Sequence, residues 1–135
     1  MSIYFEWTKM MSVGEENIDI QHQRLLSQVN KIIDAMAYGI TSKKVFDALA
    51  FFEQYINEHL AYEEKYMREK KYTDLSGHLL QHQTFRDEYA IFNKKLKSGQ
   101  TPVNTLIEME EFLGNWWIKH IGLSDKKYAQ EFSRI

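Results

Sequence analysis

Apolar residues along this chain recur at alternating steps of three and four, the spacing of one helix face, and no segment keeps the step of two that marks a half-buried strand. Four such stripes can be followed. The first runs through His22, Leu25, Val29, Ile32 and Met36, and the second through Val45, Leu49, Phe52, Ile56, His59, Glu63 and Tyr66. The third holds Leu75, His78, His82, Phe85, Tyr89, Phe92 and Leu96, and the fourth Leu106, Met109, Leu113, Trp116 and His120. Cap and turn residues set their ends. Asp19 is placed to cap a first helix that reaches about Tyr38 before Gly39, and Thr41 or Ser42 to cap a second that reaches Lys70. The TDLSG stretch then resets the chain, and Thr101 followed by Pro102 opens the last long helix. The pattern predicts an all-α single domain over 1–135: an N-terminal extended arm over 1–18, helices over about 19–38, 42–70, 75–98 and 102–121, and a short C-terminal helix over about 126–132.

Short joins make successive helices antiparallel neighbours, so the expected architecture is an up-down-up-down four-helix bundle. Level along the bundle then becomes informative. His22 lies near the start of the first helix, His59 and Glu63 toward the end of the second, His78 and His82 near the start of the third, and His120 at the end of the fourth. In an antiparallel bundle these are all the same end, and they include every histidine of the chain.

Composition narrows the chemistry. A chain of 135 residues with 44% hydrophobic residues buries a core without cross-links, and a net charge of −2 gives no electrostatic reason to expect nucleic acid or an anionic membrane as partner. There is no cysteine, which removes disulfides, thiolate metal sites and cysteine nucleophiles, so any site must use nitrogen and oxygen. The N-terminus has no basic start followed by an unbroken apolar run, and no later segment approaches a membrane span, so the expected location is cytoplasmic.

Taken singly, the polar residues in the stripes are weak signals. His59 and Glu63 form an HxxxE pair and His78 and His82 an HxxxH pair, spacings that put two side chains on one helix face but that also serve ordinary hydrogen bonding. Together they say more. Five core histidines would each need a buried partner, and their collection at one level is explained at once by metal ions. Five imidazoles are too many for one tetrahedral zinc, and two inward carboxylates, Glu63 and Asp125, are what two adjacent cations would share. Asp125 raises a difficulty, because a regular helix turns residues five apart about 140° away from each other. For His120 and Asp125 to face one target, the helix must end near Ile121 or Gly122, or bulge there, with Ser124 or Asp125 free to cap the short last helix.

Several pieces of the chain carry a resemblance. Trp7, the SVG at Ser12 to Gly14, IDIQHQ around His22, HLAYEE from His59, the spacing of GHLLQH, and WWIKHIGLSDKKY together resemble a bacterial hemerythrin over nearly the full length. The resemblance implies two iron ions with a bridging oxide or hydroxide: His22, His59, His78, His82 and His120 as terminal ligands, Glu63 and Asp125 as bridges. It assigns His78, His82 and His120 to one iron and His22 and His59 to the other. Five histidines, four oxygens from the two bridging carboxylates and a bridging oxygen counted twice fill eleven of the twelve positions of two octahedra. One position stays open, and the resemblance places reversible dioxygen binding there, for storage, delivery or sensing. The expected activity is carriage rather than catalysis; the alternatives are a di-iron enzyme reducing peroxide or nitric oxide, and a structural or buffering metal site.

Further expectations concern the surroundings. Leu25, Leu26, Ile56, Leu60, Trp116, Trp117 and Ile121 lie within a turn of a ligand and are candidates for a dry oxygen pocket. Gln21, Gln23, Gln81 and Glu64 flank ligands, but helix neighbours point about 100° apart, so these are expected at the surface. Thr73, where relatives often carry proline, and Gly77, just before His78, are expected to loosen the start of the third helix.

Overall fold

The computed structural model describes residues 6–36, 43–97 and 104–133, without the side chains at 96, 97, 104–107 and 117. A 3-10 turn at Lys9–Met11 precedes α1 (Glu16–Met36), α2 (Lys43–Glu69), α3 (Leu75–Lys97) and α4 (Asn104–Asn115). The last helix passes without a break through a π-helical segment, Trp116–Ser124, into α5 (Asp125–Phe132). The described residues contain no strand and no helix long and apolar enough to cross a membrane. The four long helices form the expected antiparallel bundle. The predicted ends at Tyr38, Gly39, Thr41, Ser42, Ser98, Thr101 and Pro102 fall outside the described residues.

The start of α1 differs from expectation. Its cap is Glu15, whose carboxylate accepts the backbone N–H groups of Asn17 at 3.1 Å and Ile18 at 3.0 Å. Asp19 lies inside the first turn and serves the arm, accepting from the Ser12 hydroxyl and from the Val13 N–H at 2.9 Å. Residues 16–18 therefore belong to the helix.

Between α2 and α3 the chain turns by a Schellman motif built without glycine. Tyr72 N–H bonds to the Met67 carbonyl, Lys71 N–H to that of Arg68, and Lys71 takes the left-handed conformation at φ 56°. Tyr72 and Met67 then pack in one buried cluster. Thr73 tightens this turn, because its N–H and hydroxyl both donate to Glu131 of α5, a tie proline could not make in full. Nor does α3 start late. A Cβ at Gly77 would lie 2.6 Å from Asp74 Oδ1, so glycine there lets Asp74 fold over the helix start.

Burial follows the stripes. Leu25, Val29, Ile32, Val45, Leu49, Phe52, Ile56, Phe85, Tyr89, Met109 and Leu113 form the main core, and Val13, Ile18, Met67, Tyr72 and Tyr128 a second one at the other side of the polar layer. Leu96 and Leu106 fall among the undescribed side chains.

Candidate metal centre

Between the two cores all five histidines, Glu63 and Asp125 are buried, and no other charged side chain among the described residues is. Placing seven such groups out of water costs several kcal/mol per unpaired charge, so they must satisfy one another or hold something. They group in two overlapping sets: His78, His82 and His120 with both carboxylates, and His22 and His59 with the same two carboxylates, the donor atoms of each set lying within 4.8 Å of one another.

The carboxylates are divided between the sets oxygen by oxygen. Glu63 Oε1 faces His78 Nε2 at 3.1 Å and His82 Nε2 at 3.0 Å, while Oε2 faces His22 at 3.5 Å and His59 at 3.6 Å. Asp125 Oδ1 faces His78 at 2.9 Å and His120 at 3.2 Å, while Oδ2 faces His22 at 3.1 Å. Each carboxylate thus turns one oxygen toward each set of histidines.

Asp125 reaches the site through the π segment. Its N–H bonds to the His120 carbonyl, a five-residue step that sets the two residues one above the other on a continuous helix. The anticipated end at Ile121 or Gly122 does not occur, and the bulge that was its alternative does. Ser124 makes no cap; its hydroxyl leans on the Lys119 carbonyl at 3.4 Å.

Outside the cluster, three ring nitrogens are anchored. His59 Nδ1 donates to Gln21 Oε1 at 2.7 Å, His82 Nδ1 to Glu64 Oε2 at 2.8 Å, and His120 Nδ1 to Gln81 Oε1 at 2.8 Å. Gln21, Glu64 and Gln81 are thus not idle surface. Each flanks one ligand yet serves a ligand of the next helix, because the 100° between helix neighbours is what turns it toward that helix. Gln23 is exposed as expected. A residue missed in the sequence is Tyr128, fully buried, whose hydroxyl donates to Glu63 Oε2 at 3.0 Å. Its position three after Asp125 on one helix face was the available signal.

These anchors decide how the site fits cations. An acceptor at Nδ1 holds the proton there and leaves Nε2 a bare lone pair. Yet His82 and His120 bring their Nε2 atoms within 3.1 Å of each other, and His22 Nε2 and both Asp125 oxygens, close as they are to neighbours, have no aligned hydrogen bond. His78 and His82 turn their Nε2 atoms to Glu63 Oε1, but His22 and Asp125 keep buried polar atoms that no protein group satisfies, room for a positive ion to take. Without cations the site draws in protons. Burial disfavours charge on His22 and His78, but Asp125 and Glu63 outweigh it and raise both to about 9. Burial prevails at His59, lowered to about 3. Glu63 stays well below the carboxylate range: its burial works the other way, and the surrounding histidines overcome it.

The proposed pocket residues are distributed over two layers. Leu25, Ile56 and Leu60 belong to the main core, Leu26 and Ile121 form a small cluster covered by Trp7 and Met11, and Trp116 packs against both. Trp116 also stacks on His120, ring centres 3.9 Å apart and nearly parallel. The Trp117 side chain lies outside the described residues.

A helical bundle closed around imidazoles and shared carboxylates, with no thiolate, defines a cation-binding bundle of the non-haem kind. The model of the hemerythrin HHE cation binding domain matches residues 13–132. The chain belongs to the hemerythrin family, whose members are non-haem iron proteins. It is 33% identical over 113 residues to a bacteriohemerythrin of Methylococcus capsulatus, covering 82% of each chain. It is 27% identical to a myohemerythrin of Theromyzon tessulatum, over 92% of this chain and 90% of that one. A crystal structure of a hemerythrin with a leucine-to-tyrosine substitution superposes with a TM-score of 0.84 at 27% identity, covering 96% and 97% of the two chains.

Proposed function

We propose that this chain holds two iron ions and binds dioxygen reversibly, for storage, delivery or sensing. His78, His82 and His120 would complete one ion, His22 and His59 would serve the other, and Glu63 and Asp125 would bridge them. The observation that carries this reading is the division of each carboxylate between a three-histidine and a two-histidine set, which leaves the second ion one protein ligand short. When bound, ferrous iron supplies the electrons that dioxygen takes up on binding and returns on release.

The chain's own groups favour carriage over turnover. Five neutral imidazoles against two carboxylates give fewer anionic donors than the carboxylate-rich di-iron bundles, and so favour the ferrous state. The buried Leu25, Leu26, Ile56, Leu60 and Ile121, with Trp116, would keep water from the site and slow the entry of protons. Tyr128 holds Glu63 by the oxygen that faces the two-histidine set.

The test is anaerobic loading with ferrous iron, followed by cycles of oxygen addition and removal under an optical spectrum. A charge-transfer band that appears and vanishes over several cycles is the expected result. Irreversible oxidation, with peroxide or nitric oxide consumed catalytically, would make the chain a di-iron enzyme instead. One zinc per chain and no iron uptake would sink both.

A further inference from the structure

Three histidines carry an identified outer anchor, and the anchors are not alike. Gln21 and Gln81 offer neutral amide oxygens to His59 and His120, whereas Glu64 offers His82 a carboxylate. That carboxylate is itself shared. Arg86 Nη2 lies 3.0 Å from Glu64 Oε2, the same oxygen that accepts from His82 Nδ1 at 2.8 Å. The run Arg86–Glu64–His82 leads from a guanidinium about a third exposed, through a carboxylate only 15% exposed, to a fully buried imidazole. It begins at the surface and ends on Glu63 Oε1, 3.0 Å from His82 Nε2.

A hydrogen bond from a ligand imidazole to a carboxylate transfers electron density to the ring and makes its other nitrogen a stronger donor; an amide does so less. An arginine on the accepting oxygen withdraws part of that density, because one oxygen divides its acceptor strength between two donors. Glu64 and Arg86 therefore act on His82 in opposite senses.

We infer that Glu64 and Arg86 are positioning residues that set the donor strength of His82, and so make the three-histidine position the tighter and more readily oxidised of the two. The inference rests on the two-cation reading above. It assigns the one charged anchor to the ion with three histidines, beside the neutral Gln81 on His120, and gives the two-histidine ion only the neutral Gln21 on His59, so that electron donation is adjusted without a group entering the oxygen pocket.

The test titrates cobalt(II), followed by its absorption bands, into the metal-free wild type, Glu64→Gln and Arg86→Met, and reads the reduction potential of the iron-loaded forms. Two cobalt ions per wild-type chain check the underlying reading separately. Glu64→Gln keeps the shape and an acceptor, and is expected to weaken one cobalt step about 10- to 100-fold while sparing the other, and to raise the potential. Arg86→Met keeps the apolar stem and frees the shared oxygen for His82, and is expected to tighten the same step and lower the potential. Arg86→Lys, which restores the charge, should return toward wild type. Shifts of the same sign in Glu64→Gln and Arg86→Met would show that the pair merely supports the local structure, and no shift in either would show that His82 does not feel it; either result overturns the inference.

Discussion

Replacing Tyr128 by phenylalanine removes one oxygen atom from the interior and nothing else. The ring stays among Tyr66, Tyr72, His78 and Phe132, so the packing term is small, while Glu63 Oε2 loses its donor at 3.0 Å. In the metal-free protein Glu63 is ionised at pH 7, the histidines around it outweighing its burial, so the lost bond is one to a buried charge, worth about 1.5–3 kcal/mol. For 135 residues the unfolding entropy near the midpoint is about 0.28 kcal/mol/K, so Tm should fall by about 5–11 °C. A second tyrosine supplies the control. Tyr89 is also buried, and its hydroxyl donates at 2.9 Å to the carbonyl of Leu49, a neutral acceptor inside α2. Tyr89→Phe should cost about 0.5–1.5 kcal/mol, or about 2–5 °C. Thermal unfolding of both variants by circular dichroism, with chelator present, compares them. With iron bound the Tyr128→Phe deficit should shrink, since Glu63 then has cations for partners. If Tyr128→Phe costs no more than Tyr89→Phe in the metal-free state, Glu63 is not held as a buried anion by this hydroxyl.

His22→Ala should leave a folded helical protein that keeps one iron per chain and forms no stable oxygen adduct, as metal analysis and the optical spectrum would show. In the metal-free protein the raised values of His22 and His78 contribute stability that is complete below about pH 6.5 and lost as pH rises through about 9. Tm should therefore fall across that window, while affinity for a divalent cation, which must displace those protons, should rise across it. Lys71→Gly relieves the left-handed conformation, at about 1–2 kcal/mol, against a partly offsetting gain in unfolded-state freedom, and should raise Tm by about 2–4 °C. Deleting the exposed Leu123 brings His120 and Asp125 to a four-residue step on a regular helix and should preserve binding of two cations, whereas inserting an alanine there should remove Asp125 from the site and leave at most one.

Most of the bundle was readable because one period governs it. The stripes in α1, α2 and α3 needed only the 3.6-residue repeat to place His22, His59, Glu63, His78 and His82 inside, and short joins to bring them to one level. Asp125 was readable as a contradiction: a five-residue spacing demanded an irregular backbone, but whether a stop or a π bulge depends on i→i+5 bonding that no residue in HIGLSD announces. The outer anchors were hidden for a different reason. Gln21, Glu64 and Gln81 pair across helices with His59, His82 and His120, and which helix neighbours which face is a tertiary fact. Glu15 was overlooked as the cap of α1 because Asp19 fits the usual preference better, though its carboxylate is drawn back to Ser12 and Val13.

A crystal structure of the anaerobically iron-loaded protein, with data on both sides of the iron absorption edge, tests the two-cation claim most directly. Two anomalous peaks should appear inside the polar layer, one among His78, His82 and His120 and one beside His22 and His59, with Glu63 and Asp125 reaching both. A single peak, or a second one outside these seven residues, would contradict it.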